Sequence, residues 1–285
     1  MPFSSSLVQP RRFWYSPPVR PALIPSEPAL LVVGHPGHEL RVHGWLEAAR
    51  PLVVVLTDGS GHTGKPRIGS TAGVIARAGA TPATLFGRIP DVDLYRALID
   101  QDTALFLGLA EELAEIIRRH HIRLVTGDDA EGYNPAHDVC RLIVNAAVRL
   151  ASTPTAVANL GFALMAHPKA VAAVQHNGVS RMFLDDAALS RKMTAALLYP
   201  EMAEEVAAAR RAWGDEAFRV ETFRHVPADD VWRPGAEPPF YEQHGARRVD
   251  DGLYDEVIRY DRHVRPLAVA LSGRTTPQVP RSVAS

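Results

Sequence analysis

A single cysteine, Cys140, stands in a chain of 285 residues, so no disulfide can form within it. That composition suits a reducing compartment, and the expected location is cytoplasmic. Charge of one sign is also lacking: 31 Lys and Arg face 32 Asp and Glu, for a net charge of -1. A chain so balanced has no general basic face for a phosphate backbone, and no nucleic acid is expected as partner. No uninterrupted apolar stretch reaches the roughly 20 residues that a membrane-spanning helix needs. The most apolar window, residues 155–174, is broken by Asn159, His167, Pro168 and Lys169. The first twenty residues carry charges with no apolar segment behind them, which argues against an export signal. No membrane partner is expected. A phosphate loop is missing too. Gly59-Ser60-Gly61-His62-Thr63-Gly64-Lys65 is followed by Pro66, where that motif requires Ser or Thr. Nor does any Gly-rich segment make a dinucleotide fingerprint.

What is present is core-forming material. Hydrophobic residues make up 46% and charged residues 22%, enough apolar surface to exclude global disorder. Residues 1–28 are dense in proline, which forbids a regular helix or central strand there. They read as an extended arm, laid on the body through Phe13, Trp14 and Tyr15. Residues 29–271 read as one α/β domain, and residues 272–285 as a flexible tail.

Within the domain the pattern alternates. Ala29 to Val33 (ALLVV) and Leu52 to Leu56 (LVVVL) are continuous apolar runs, as expected of strands buried on both faces. Arg123 to Thr126 is a shorter one. Helices are expected over Leu40–Ala49, from Asp91 to His120 with a break near Asp102, over Ala136–Leu150, over Asp185–Trp213 and over Leu253–His263. Ala217 to Val226 alternates like a strand. Strand and helix in turn predict a Rossmann-like three-layer α/β fold with a mostly parallel sheet.

In such sheets ligands bind beyond the carboxyl ends of the strands. Those ends carry Gly34-His35-Pro36-Gly37-His38-Glu39, then Thr57-Asp58-Gly59, then Gly127-Asp128-Asp129-Ala130-Glu131-Gly132-Tyr133-Asn134-Pro135-Ala136-His137-Asp138. His35 and His38 stand three apart at a helix start, so both imidazoles can face one ion. His137 opens another helix and can approach from the neighbouring loop. Three imidazoles with an open fourth position suit a catalytic Zn2+, or another divalent metal. Bland roles compete at several positions. Glu39 can cap or brace its helix, Asp58-Gly59 can be a turn, Asn134-Pro135 can start one, and Asp138 can favour a helix dipole. His43, His62, His120, His121, His167, His176 and His225 read as surface or core residues. Pro239 to Gly245 mixes aromatic and polar groups, as a substrate rim or an oligomer contact would; a homo-oligomer is one possibility.

The order apolar strand, His-Pro-x-x-Glu, helix, strand, Thr-x-Gly, and later Gly-Tyr-x-Pro-x-His resembles the LmbE-like, or PIG-L, family of metal-dependent de-N-acetylases. The resemblance covers about residues 29–150 by motif. It implies a Rossmann-like sheet, a divalent metal, usually zinc, and removal of acyl groups from amino sugars and related amides. In the family's His-Pro-Asp-Asp-Glu signature, His35, Pro36 and Glu39 match, and His35 takes the place of a ligand. Gly37 stands where the general base belongs, and His38 where a ligand Asp belongs. In the later His-Pro-Asp-His signature, His137 matches the ligand, while Asn134 and Ala136 replace the preceding His and Asp. The implied activity is amide hydrolysis of an N-acylated sugar or sugar-like natural product, with metal-bound hydroxide as nucleophile. With Gly37 at the base position, proton transfer falls to a displaced carboxylate, Asp58 first and Glu39 second. Asn134, Asp128 and Glu131 are the expected substrate contacts. The alternatives are a metal-binding member of the fold with other chemistry, and a non-catalytic binding protein.

Overall fold

A computed structural model of the chain describes residues 23–61, 64–152, 156–165, 178–227, 229–235 and 237–273. Most of the expected N-terminal arm, His62, His167, His176 and the tail from residue 274 lie outside the described residues.

In chain order the strands are β1 (Ala29–Val33), β2 (Leu52–Thr57), β3 (Thr81–Ile89), β4 (Leu124–Asp128), β5 (Ala158–Phe162), β6 (Val179–Phe183) and β7 (Val220–His225). The helices are α1 (His43–Ala49), α2 (Ile68–Arg77), α3 (Asp91–Ile99), α4 (Thr103–Arg119), α5 (Pro135–Ala151), α6 (Asp186–Leu197), α7 (Ala203–Trp213), α8 (Phe240–Asp250) and α9 (Arg265–Gly273). The strands form one sheet in the order β3-β2-β1-β4-β5-β7-β6. The first five are parallel, with Leu30 paired to Leu52 and Ala29 to Leu124 on either side of β1. β7 joins β5 antiparallel, and β6 joins β7 antiparallel. At the other margin, β3 pairs with β2 through two register shifts and places Pro82 opposite Val53.

The apolar runs explain this arrangement. Side chains alternate across a strand, so a strand with helices on both sides must be apolar at every position. Leu30, Val32, Val54 and Leu56 pack towards α3, α4, α5 and α9. Leu31, Val33, Val53 and Val55 pack on the other face with Trp45 of α1, Val74 of α2, and Tyr199. The three-layer α/β fold read from the sequence is the fold observed.

The elements differ from expectation at several places. A 3-10 turn over His38–Val42 precedes α1, so the first helix is composite. The break near Asp102 is real, and its carboxylate caps α4 by accepting from Leu105 N at 3.2 Å. The expected Asp185–Trp213 helix is split into α6 and α7 by a 3-10 turn at Pro200–Met202. The expected Leu253–His263 helix is a correction: residues 251–259 are turn, bend and irregular chain, and helical structure starts with a π-turn at Tyr260–Val264. Gly252 adopts a left-handed φ of 70°, and that turn closes α8 rather than opening a helix.

Candidate functional site

β1 and β4 are neighbours where the strand order reverses, and the loops beyond their carboxyl ends form the crevice expected of such a fold. The β1 loop carries His35 and His38; the β4 loop leads to α5, which carries His137 in its first turn. The three imidazoles meet there, edge to face. Their ring centroids lie 5.4 Å apart for His35–His38, 5.4 Å for His35–His137 and 4.6 Å for His38–His137. His35 and His137 are each 6% exposed.

Two histidines are held from behind by carboxylates. His35 Nδ1 lies 2.8 Å from Thr57 Oγ1 and 3.1 Å from Asp91 Oδ1. His38 Nδ1 lies 2.7 Å from Asp128 Oδ2, which also accepts from Gly34 N at 2.7 Å. An imidazole that gives its Nδ1 proton to a carboxylate keeps a lone pair on Nε2. His35 Nε2, His137 Nδ1 and Asp128 Oδ1 are buried with no hydrogen-bond partner. Burial first, then the His38 and His35 rings, hold His137 well below the usual imidazole range, so its ring is neutral at pH 7. For Asp91 burial acts upward, but the His35 hydrogen bond and charge, with Thr57 and Gly61, hold it well below the usual carboxylate range.

Do these residues fit a metal? Three imidazoles on one tetrahedral zinc, at a Zn–N distance of about 2.0–2.1 Å, place ring centroids roughly 5 Å apart. The observed spacing agrees, and unpartnered buried nitrogens are the atoms that such an ion would satisfy. Among the described residues, no group of three or more His, Cys, Asp or Glu is arranged to hold a metal as it stands. The donor types and ring spacing fit zinc, while the rings themselves pack edge to face.

The other sequence candidates surround this cluster with much of their bonding capacity already used. Asp58 follows β2, and its Oδ1 accepts from Ser60 N at 2.9 Å and Asp91 N at 3.3 Å. Glu39 is fully buried; one oxygen accepts from Gly37 N at 2.8 Å and the other has no partner. Burial pushes the Glu39 carboxyl up to about 7, against hydrogen bonds from Thr71 and the backbone. Glu131 turns to the backbone amides of Leu164 and Met165. Asn134 Oδ1 caps α5 by accepting from Ala136 N at 2.8 Å, and accepts from Tyr95 Oη at 3.1 Å. Asp138 Oδ1 accepts from Glu131 N and Gly132 N, at 3.0 and 3.1 Å.

Gly37 has a φ of 104°, where L side chains are strained, and a Cβ there would meet Met202 Sδ at 3.2 Å. That sulfur also accepts from Arg67 Nη1 at 3.4 Å. Sequence reading missed Asp91 and Thr57 as supports of His35. Asp91 follows β3, and a strand recognised there would have placed it among the other strand-end residues.

A scan against protein-family models finds no match, and neither does a search of curated proteins. Solved structures do resemble this chain. The A40926 pseudoaglycone deacetylase Dbv21 superposes with a TM-score of 0.50 at 19% identity, over 73% of this chain and 99% of that one. The teicoplanin-pathway deacetylase in complex with teicoplanin gives 0.49 at 17%, over 69% and 97%. The conserved protein TT1542 from Thermus thermophilus gives 0.47 at 20%, over 73% and 98%. At 19% identity the likeness to Dbv21 is one of fold.

Proposed function

We propose that this protein is a zinc-dependent amide hydrolase, a deacetylase of an N-acylated sugar or sugar-like natural product. The observation that carries the reading is the convergence of His35, His38 and His137 at the strand-order reversal, two of them held by carboxylates. The fold shared with a pseudoaglycone deacetylase supports it. His35, His38 and His137 would hold the metal. When bound, zinc supplies an electrophile for the amide carbonyl and lowers the pKa of water.

The chain's own groups have distinct tasks. Asp91 and Asp128 orient His35 and His38 and keep their outer nitrogens available. Asp58 is the proposed proton carrier to the leaving amine. Its Oδ1 is fixed by two backbone amides, and its Oδ2 forms no hydrogen bond among the described residues. Glu39 is the second choice, because its site beneath Gly37 is closed to solvent. Asn134 is the proposed substrate contact, through an amide nitrogen not used by the scaffold. Asp128 and Glu131 hold the walls with the oxygens they spend on His38, Gly34, Leu164 and Met165.

One stoichiometric metal in the purified protein, lost in His35→Ala and His137→Ala, is the expected result. Release of acetate from an N-acetyl sugar panel should accompany it. Asp58→Asn should lower kcat by about 10²–10⁴-fold with metal content unchanged. Full turnover in Asp58→Asn would remove the carrier assignment. A second reading, a metal protein of this fold with other chemistry, is favoured by Gly37 and Met202 standing where a general base would be. Bound metal with no acyl release from any substrate selects it.

A further inference from the structure

Tyr133 lies in the loop that leads from β4 to His137, and its ring is stacked on Phe240 at the start of α8. The two rings are 4.8 Å apart with an interplanar angle of 2°. Both are open to solvent, Tyr133 at 39% and Phe240 at 42%. Behind Phe240, the His244 ring stacks at 5.9 Å and the Arg247 guanidinium lies 6.0 Å from the ring centroid.

The loop that presents Tyr133 is fixed on both sides. Gly132 has a φ of 66°, and a Cβ there would meet the Trp232 ring at 2.7 Å. Asp138 takes the amides of Glu131 and Gly132, and Asn134 is tied to Ala136 and Tyr95. Tyr133 is therefore held in register with His137 by bonds to that histidine's own helix. A flat, exposed aromatic pair, on a loop tied to the helix that carries His137, offers the surface that a ring-shaped ligand needs.

We infer that Tyr133, backed by Phe240, is the stacking platform for a pyranose ring of the substrate, whose N-acyl group reaches the three histidines. The inference rests on the amide-hydrolase reading above for the identity of that group. The C–H face of a pyranose carries slight positive charge and matches the negative face of an aromatic ring. Its equatorial hydroxyls need donors at the rim, which the side-chain amide of Asn134, next to Tyr133 in the same loop, can supply. An acyl chain would instead require an enclosed apolar groove. The cavity lined by Val42, Phe162, Arg41, Lys192 and Glu221 has charged walls, and the Tyr133–Phe240 face is open.

Saturation-transfer NMR with methyl N-acetylglucosaminide on the full chain tests this directly. The wild type should pass saturation mainly to the ring C–H protons. Tyr133→Ala should weaken binding by roughly three- to tenfold, and Tyr133→Trp should retain it, both with an unchanged melting temperature. Wild-type affinity in Tyr133→Ala, or no saturation of the glycoside by wild type, overturns the platform. So does a loss seen only for an N-octanoyl glycoside and not for the N-acetyl one, which would assign the face to the acyl chain. Failure of the enzymatic reading looks different: the glycoside binds through Tyr133 and its amide is never cleaved. Cleavage with unchanged KM in Tyr133→Ala would leave the hydrolase standing and remove the platform.

Discussion

At the scale of single residues, Gly37 sets the backbone between His35 and His38. A carboxylate placed there looks like a restored base when only the motif is considered. The backbone says otherwise, because a φ of 104° strains any L side chain and Met202 stands against the added Cβ. Gly37→Asp is therefore expected to lose about 1–3 kcal/mol of stability, read by denaturant unfolding, and to gain no activity. Asp91 offers the opposite case. Nothing in the sequence ties it to His35, yet the two are bonded across 56 positions. On the proposed zinc reading, Asp91→Asn should weaken zinc affinity by about 10–100-fold in a chelator competition, because the carboxylate would fix the tautomer of the proposed ligand His35. A change in melting temperature with unaltered zinc affinity would reduce Asp91 to a structural role.

At the scale of elements, α5 shows how local chemistry places the proposed ligand His137. Asn134 caps the helix, Pro135 occupies the first position where its missing N–H is harmless, and His137 follows on the inward face. Asn134→Ala should cost about 1 kcal/mol by chemical denaturation through loss of the cap. Legibility of the elements followed burial. β1 and β2 are apolar at nearly every position because helices cover both faces, so composition alone revealed them; β4 is buried throughout, but only Leu124 and Val125 of its residues carry the apolar signal. β3 escaped because it is marginal: Pro82 and Gly87 interrupt it, and Leu85 alone is fully buried. α8 escaped because only Tyr241 and Gly245 of its residues are buried, which leaves no apolar stripe to count. The spurious helix at Leu253–His263 arose from apolar spacing supplied by Leu253, Tyr254, Val257 and Ile258, residues of a loop. The three histidines were legible because strand-end topology is a property of pattern. Of their carboxylate partners, Asp128 reads from the sequence as a substrate contact rather than a support of His38, and Asp91 only as a helix start, because such pairings depend on register between distant strands.

At the scale of the whole molecule, the antiparallel pair of β6 and β7 is bound to the parallel half by charge as well as by pairing. Lys192 on α6 donates to Glu221 on β7 at 2.8 Å, and Glu221 also accepts from Gly44 N and Trp45 N of α1. Lys192→Ala would leave that buried carboxylate without its cation and should cost about 3–5 kcal/mol, measured by denaturant unfolding. Arg224 of β7 makes a two-pronged contact with Asp129, at 2.6 and 2.9 Å. Burial pushes the Asp129 carboxyl up, but the Arg224 hydrogen bonds, with Arg141, bring it below the usual value of 3.8. A lowered carboxylate stabilises the fold above its unfolded pKa and ceases to do so as pH falls through the folded one. Wild type should therefore lose more stability than Asp129→Asn when pH is lowered from 5 to 2.5, by about 1 kcal/mol given that Arg224 is partly solvated. The sheet's margins carry a last consequence. An exposed strand edge invites the addition of a further strand, but β3 is kinked by two register shifts and blunted by Pro82, and β6 spans five residues. Cross-β growth from either border is disfavoured by the backbone itself, which matters in a chain whose net charge of -1 offers little mutual repulsion.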